Sequence, residues 1–121
     1  MKNNLEERLI KFAVMIIQFI ESMPNSKASN HLSGQLLRSG TSPALNYGEA
    51  QSGESNSDFI HKIKVVLKEL RETLVCLKII HQSKSYSSED LIKSLLKEAD
   101  ELVAIFVTSV KTAEKNRLKG K

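Results

Sequence analysis

The sequence predicts an all-α protein, a single domain built as an up-down-up-down four-helix bundle. Apolar residues recur at three- and four-residue spacing through four segments and nowhere alternate as a strand would. Short clusters of Pro, Asn, Ser and Gly separate those segments. The chain has 121 residues, the size of one domain with one core. Trp is absent and aromatics make up 5%, so aliphatic side chains must fill that core.

The first helix is expected over about 5–22, where Leu5, Leu9, Phe12, Ile16, Ile20 and Met23 share one face. Pro24 disfavours helix at Met23, and Asn25 or Ser26 is placed to cap the next helix. That second helix is expected over 27–51, with Ala28, Leu32, Leu36, Gly40, Pro43 and Tyr47 on one face. Pro43 has no N–H for the Ser39 carbonyl and crowds it. The helix therefore either kinks there, or breaks and restarts with Ser42 as cap. Gln51-Ser52-Gly53-Glu54 reads as a turn.

Ser55, with Asp58 three residues on, makes a loose capping box for a third helix over 56–82. Its stripe is Phe59, Ile63, Val66, Leu70, Leu74 and Leu77. After a polar turn, Ser87 or Ser88 caps a fourth helix over 88–115, whose first turn carries Glu89 and Asp90, the sign favoured there. Leu91, Leu95, Ala99, Leu102 and Phe106 form its stripe. With short loops, four such helices make an antiparallel bundle.

The apolar surface exceeds what one bundle requires. Ile92, Leu96, Val103, Val107 and Val110 widen the fourth arc to roughly half the circumference, against the ~100° a surface helix uses. Ala13, Val14, Met15 and Ile17 widen the first, and Val75 and Ile79 lie opposite the third stripe. Soluble monomers avoid contiguous exposed apolar patches, so a homo-oligomer is expected.

Residues 1–110 carry 13 Lys/Arg and 13 Asp/Glu, whereas 111–121 carry five Lys/Arg and one Glu, so the whole net charge of +4 lies in this basic tail. Such a tail is either a solvated helix end or a polyanion-seeking arm. In the second case Lys111, Lys115, Arg117 and Lys119 would contact phosphate. No basic-then-apolar leader opens the chain, and the apolar stretch from Phe12 to Ile20 falls short of the ~20 residues of a spanning helix. The expectation is a cytoplasmic chain with no membrane contact.

The residues point to no enzyme. No catalytic residue, metal ligand or cofactor emerges, and phosphate-loop, nucleophile-elbow and dinucleotide motifs are missing. A carboxylate-metal bundle needs Glu-x-x-His pairs, and none occurs. Glu69-x-x-Glu72 and Glu98-x-x-Glu101 flank their stripes as solvated or salt-bridging faces. His31, His61 and His81 lie in three separate regions. Cys76, in an apolar run, reads as a buried thiol rather than a nucleophile. Arg38 or Arg71 either lies on a charged face or pairs with Glu49, Glu72 or Glu101 between helices or subunits.

Several elements carry a family likeness. They are Leu37-Arg38-Ser39-Gly40-Thr41-Ser42, Asn46, Glu49-Ala50, Ser55 to Phe59, Leu67 to Thr73, Leu77, Glu98 to Leu102 and Ser109 to Thr112. In this order and spacing the chain resembles the bacterial four-helix-bundle family whose first members are encoded by intervening sequences inside 23S rRNA genes. It is also similar to a relative of that family, the accessory protein of diversity-generating retroelements. The resemblance implies a ring-like homopentamer. In the retroelement relative a basic surface binds nucleic acid and a reverse transcriptase, while the rest of the family has no established activity. Pro43 and Gln51-Ser52-Gly53-Glu54 depart from the aliphatic and basic residues common there. The expected function is thus a non-enzymatic oligomer whose partners are copies of itself and RNA, a ribonucleoprotein or a nucleic-acid-processing protein. The alternative is a protein-partner scaffold with no nucleic-acid role.

Overall fold

Serine hydroxyls start three of the four helices. In the computed structural model, which describes residues 4–52 and 55–119, the helices are α1 (Asn4–Glu21), α2 (Lys27–Gln51), α3 (Asn56–Gln82) and α4 (Glu89–Lys119). Gly53 and Glu54 of the expected turn, and residues 120 and 121 of the tail, lie outside the described residues. Ser26 Oγ accepts from the Ser29 N–H, Ser55 Oγ from that of Asp58, and Ser88 Oγ from that of Leu91, at 3.1, 3.1 and 3.2 Å. Each satisfies an amide that the first helical turn leaves without a partner. Ser87 instead donates to the Ser22 carbonyl at 2.7 Å, tying the last turn to the end of α1. α3 closes with Lys84 in the left-handed region (φ 57°), while the Ser85 N–H reaches the Ile80 carbonyl at 3.0 Å.

α2 runs unbroken through Pro43, with no restart at Ser42. The proline ring is buried, so tertiary packing offsets the lost hydrogen bond. The Thr41 and Ser42 hydroxyls back-bond to the Leu37 and Arg38 carbonyls, both at 2.7 Å. α4 extends a turn beyond the expected end. Val110 and Ala113 still pack on the core, and Lys64 of α3 holds Glu114 at 2.7 Å.

Helices adjacent in sequence pack side by side, and α4 returns to α1. α1 and α3 therefore stand on one diagonal, α2 and α4 on the other. Phe12, Phe19, Leu36, Ile63, Leu70, Leu77, Leu95 and Phe106 are fully buried between them. Across the centre, the Tyr47 and Phe106 rings meet edge to face at 5.5 Å.

The surplus apolar surface divides unevenly. On α4 the bundle absorbs most of it: Ile92 and Val110 are buried, and Leu96, Val103 and Val107 pack against the core. The widened α4 arc is thus covered within the bundle, and α4 exposes little of the predicted excess. Exposed instead are Ile10, Val14 and Ile17 on α1, Leu37 and Leu45 on α2, and Val75 and Ile79 on α3.

Candidate functional site

The charged end of α4 is a helix, which decides where its cations lie. Lys111, Lys115 and Lys119 succeed one another at four-residue steps and so share one face. Lys111 and Lys115 are exposed, whereas the Lys119 side chain lies outside the described residues. Arg117 leaves this face. It lines a groove of about 420 Å³ between the start of α3 and the end of α4, beside Asn56, Phe59, Thr112 and Asn116. Its Nε is buried with no hydrogen-bond partner among the described residues. Lys111 and Lys115 are thus presented to solvent together, and Arg117 is not presented with them.

A second charged region runs along the outer face of α3. Lys64, Lys68 and Arg71 occupy its first half, and Val75 and Ile79 continue the same line. Beside them runs a groove of about 800 Å³, walled by Leu32, Gln35, Leu67 and Cys76. Lys64 is held by Glu114, whereas Lys68 and Arg71 form no ion pair among the described residues. Cys76 lies at the base, its thiol 3.7 Å from the Leu32 carbonyl. Burial pushes its pKa up, which keeps it protonated and poorly nucleophilic.

Between α2 and α3, Asn46 donates to Glu69 Oε1 at 2.9 Å. Burial raises the Glu69 pKa, and the hydrogen bond from Asn46 opposes the rise. Two of the other polar candidates, Arg38 and Glu49, have separate partners within the chain. Arg38 donates to Gln35 at 3.0 Å, and Glu49 accepts from Lys62 of α3 at 2.7 Å. Arg71 and Glu72 are exposed beside the groove.

One contact went unforeseen in the sequence. Arg8 of α1 donates to both Glu98 oxygens at 2.7 and 2.8 Å, and to Glu101 at 2.8 Å. The two carboxylates raise the arginine pKa. The signal was there, since Glu98 and Glu101 sit on the flank of the α4 stripe that an adjacent helix must face. Among the described residues no cluster of three His, Cys, Asp or Glu could hold a metal ion. No helix among them is long and apolar enough to cross a membrane.

Comparison with known proteins agrees with this architecture. The model of the 23S rRNA-intervening sequence protein family matches residues 2–108, ending before the lysine face. The chain is also similar to the crystal structure of a protein of unknown function from the S23 ribosomal protein family of Bacteroides thetaiotaomicron. The two are 29% identical with a TM-score of 0.79, over 88% of this chain and 98% of that one. No curated protein matches.

Proposed function

This chain belongs to the 23S rRNA-intervening sequence protein family, and from that premise we propose that it is a non-enzymatic, self-assembling bundle that binds RNA or a ribonucleoprotein through the lysine face at the end of α4. The observation that carries this is where the charge sits. The first 110 residues are balanced, and the excess falls on a segment that stays helical and displays Lys111 and Lys115 side by side. Ammonium groups on one helix face contact phosphates without choosing a sequence. Several copies in one assembly would turn weak contacts into measurable, salt-sensitive affinity. The apolar side chains left exposed on α1 and α3 favour such an assembly.

The test is a titration of a labelled structured RNA at several salt concentrations with the intact chain and with Lys111→Glu/Lys115→Glu. The intact chain should bind at low salt and release steeply as salt rises. The double variant should bind more than tenfold more weakly, with the salt slope reduced by about one for each lysine lost. No binding by the intact chain at low salt sinks the proposal and leaves the protein-scaffold function in its place.

A further inference from the structure

The groove that holds Arg117 has its own chemistry, apart from the lysine face. The start of α3 forms one wall and residues 108–117 of α4 the other. Among the described residues that line it, Arg117 carries the only charge and none is a carboxylate. Of the described carboxylates, the two nearest along the chain are engaged or turned away. Glu114 is held by Lys64 at 2.7 Å. Asp58 lies on the flank of α3 that carries Lys62, whose ammonium reaches Glu49 of α2. The Arg117 Nε is buried with no hydrogen-bond partner among the described residues. A buried donor on a charged group is costly without an acceptor, so it marks a place for one. Hydroxyls line the same groove. Thr41, Ser42 and Thr73 elsewhere donate to the carbonyl four residues back. Ser109 and Thr112 make no such bond among the described residues, which leaves their hydroxyls for the groove.

We propose that this groove holds one nucleotide of an RNA chain, with its phosphate on Arg117 and its base against Phe59. This rests on the RNA binding proposed above and deepens it. A guanidinium presents Nε and one Nη as a parallel pair, which matches two oxygens of one phosphate. Eight residues of helix separate Arg117 from Ser109, about 12 Å along the axis, so a bare phosphate fills only one end. Between those ends lies Phe59, a flat apolar ring set partly into the wall. Such a ring is a surface on which an unstacked base can lie. Asn56, one turn before it, offers both a donor and an acceptor, as contact with a base edge requires. Lys115 is three residues from Thr112 on the helix surface, so the groove adjoins the lysine face. A continuing phosphate chain meets those lysines next, whereas a lone carboxylate would leave them unused. The lysines hold phosphates without regard to sequence, and the groove adds contact with a base.

The experiment is an amide-resolved NMR titration of the intact chain with the nucleoside monophosphates of A, C, G and U, with inorganic phosphate and with a short single-stranded RNA. Nucleotide should move the signals of Phe59, Ser109, Thr112 and Arg117 and leave those of α1 in place. Arg117 lies past Ala113, the last core contact of α4, so its variants should keep the melting temperature of the parent. Arg117→Gln should weaken nucleotide binding about tenfold or more. Arg117→Lys keeps the charge but loses the fork, and should not restore it. Phe59→Leu leaves an apolar side chain in the wall and should weaken nucleotide about fivefold or more, and inorganic phosphate less. The RNA should move the same signals at lower concentration, because the lysine face holds it at the same time. Inorganic phosphate that binds as tightly as every nucleotide would overturn the base contact. Still signals at millimolar nucleotide, or binding undiminished in Arg117→Gln, would overturn the groove as a site. Movement with the monophosphates and none with RNA would overturn the RNA chain as occupant in favour of a free nucleotide. The salt titration of Lys111→Glu/Lys115→Glu is scored on RNA affinity, so failure of the lysine face and failure of the groove are read apart.

Discussion

On its α2 side, helix α1 meets a glycine; on its α4 side, it meets two carboxylates through its own arginine. At the first seam Gly40 faces Ile16, which is fully buried, and no side chain separates α2 from α1 there. At the second, the Arg8 guanidinium reaches across to Glu98 and Glu101 at the solvent edge. Shape holds one seam and charge holds the other. Shape complementarity is indifferent to salt and intolerant of added atoms. An exposed ion pair is the reverse, screened by salt and cheaply replaced.

The largest test is overfilling the first seam. A Cβ on Gly40 would lie 2.9 and 3.0 Å from the Ile16 Cγ1 and Cγ2 atoms, which their burial prevents from swinging aside. Gly40→Leu should therefore cost about 3 kcal/mol, lowering the thermal midpoint by roughly 10 °C in a domain of this size. Gly34 is the control within the same helix, since nothing lies within 4 Å of a Cβ built there. Gly34→Ala should stabilise by up to about 1 kcal/mol, the helix-propensity difference alone. Should Gly40→Ala raise the melting temperature as Gly34→Ala does, close packing is not what sets this seam.

The two seams also differ in how far the sequence reveals them. Gly40 falls on the predicted stripe of α2, so its place at a helix contact is legible from spacing. The stripes likewise identify Leu9, Phe12, Ile16, Leu36, Ile63, Leu70, Leu77, Leu95 and Phe106 as core, and the structure buries all of them. Phe19, three residues after Ile16 and seven after Phe12, also fits that spacing and is fully buried, whereas Ile20, the residue taken for the stripe, is only partly so. Pro43 cannot be resolved from sequence, because whether a helix survives a proline depends on tertiary packing. The Arg8 clamp is hidden for another reason. Its partners lie 90 and 93 residues away, and only the closing of α4 on α1 brings them together. Arg117 shows the same limit at the candidate site. Charge counting groups it with three lysines, and helix geometry turns it away.

A middle-sized effect is expected at the second seam. Arg8→Ala should cost about 1 kcal/mol, the upper range for exposed pairs, because the geometry is bidentate yet solvent reaches it. A double-mutant cycle of Arg8→Ala with Glu98→Ala should give a coupling of roughly 0.5–1 kcal/mol at low salt. That coupling should shrink markedly in ~1 M salt, while the Gly40→Leu penalty stays the same. Equal salt dependence at both seams would erase the distinction between them.

The smallest effect asks whether a polar contact inside a packed seam needs its charge at all. Glu69 accepts from Asn46 between α2 and α3, where burial raises its pKa above the ordinary carboxylate value. A carboxylate whose folded pKa is raised favours the folded state while protonated, and that contribution is lost as pH rises through the folded pKa. The ionised group is therefore slightly unfavourable at neutral pH. Glu69→Gln keeps an oxygen for Asn46 and removes the charge. Its melting temperature at pH 7 should equal or slightly exceed that of the parent, a gain within about 0.5 kcal/mol because solvent partly screens the site. The gain should fade in acid as Glu69 itself becomes protonated. A clear loss of stability at pH 7 would mean that the charge acts here as it does at Arg8. Arg38 would then have to supply the partner by shifting from Gln35 to Glu69, and the Arg38→Gln variant would lose the same amount.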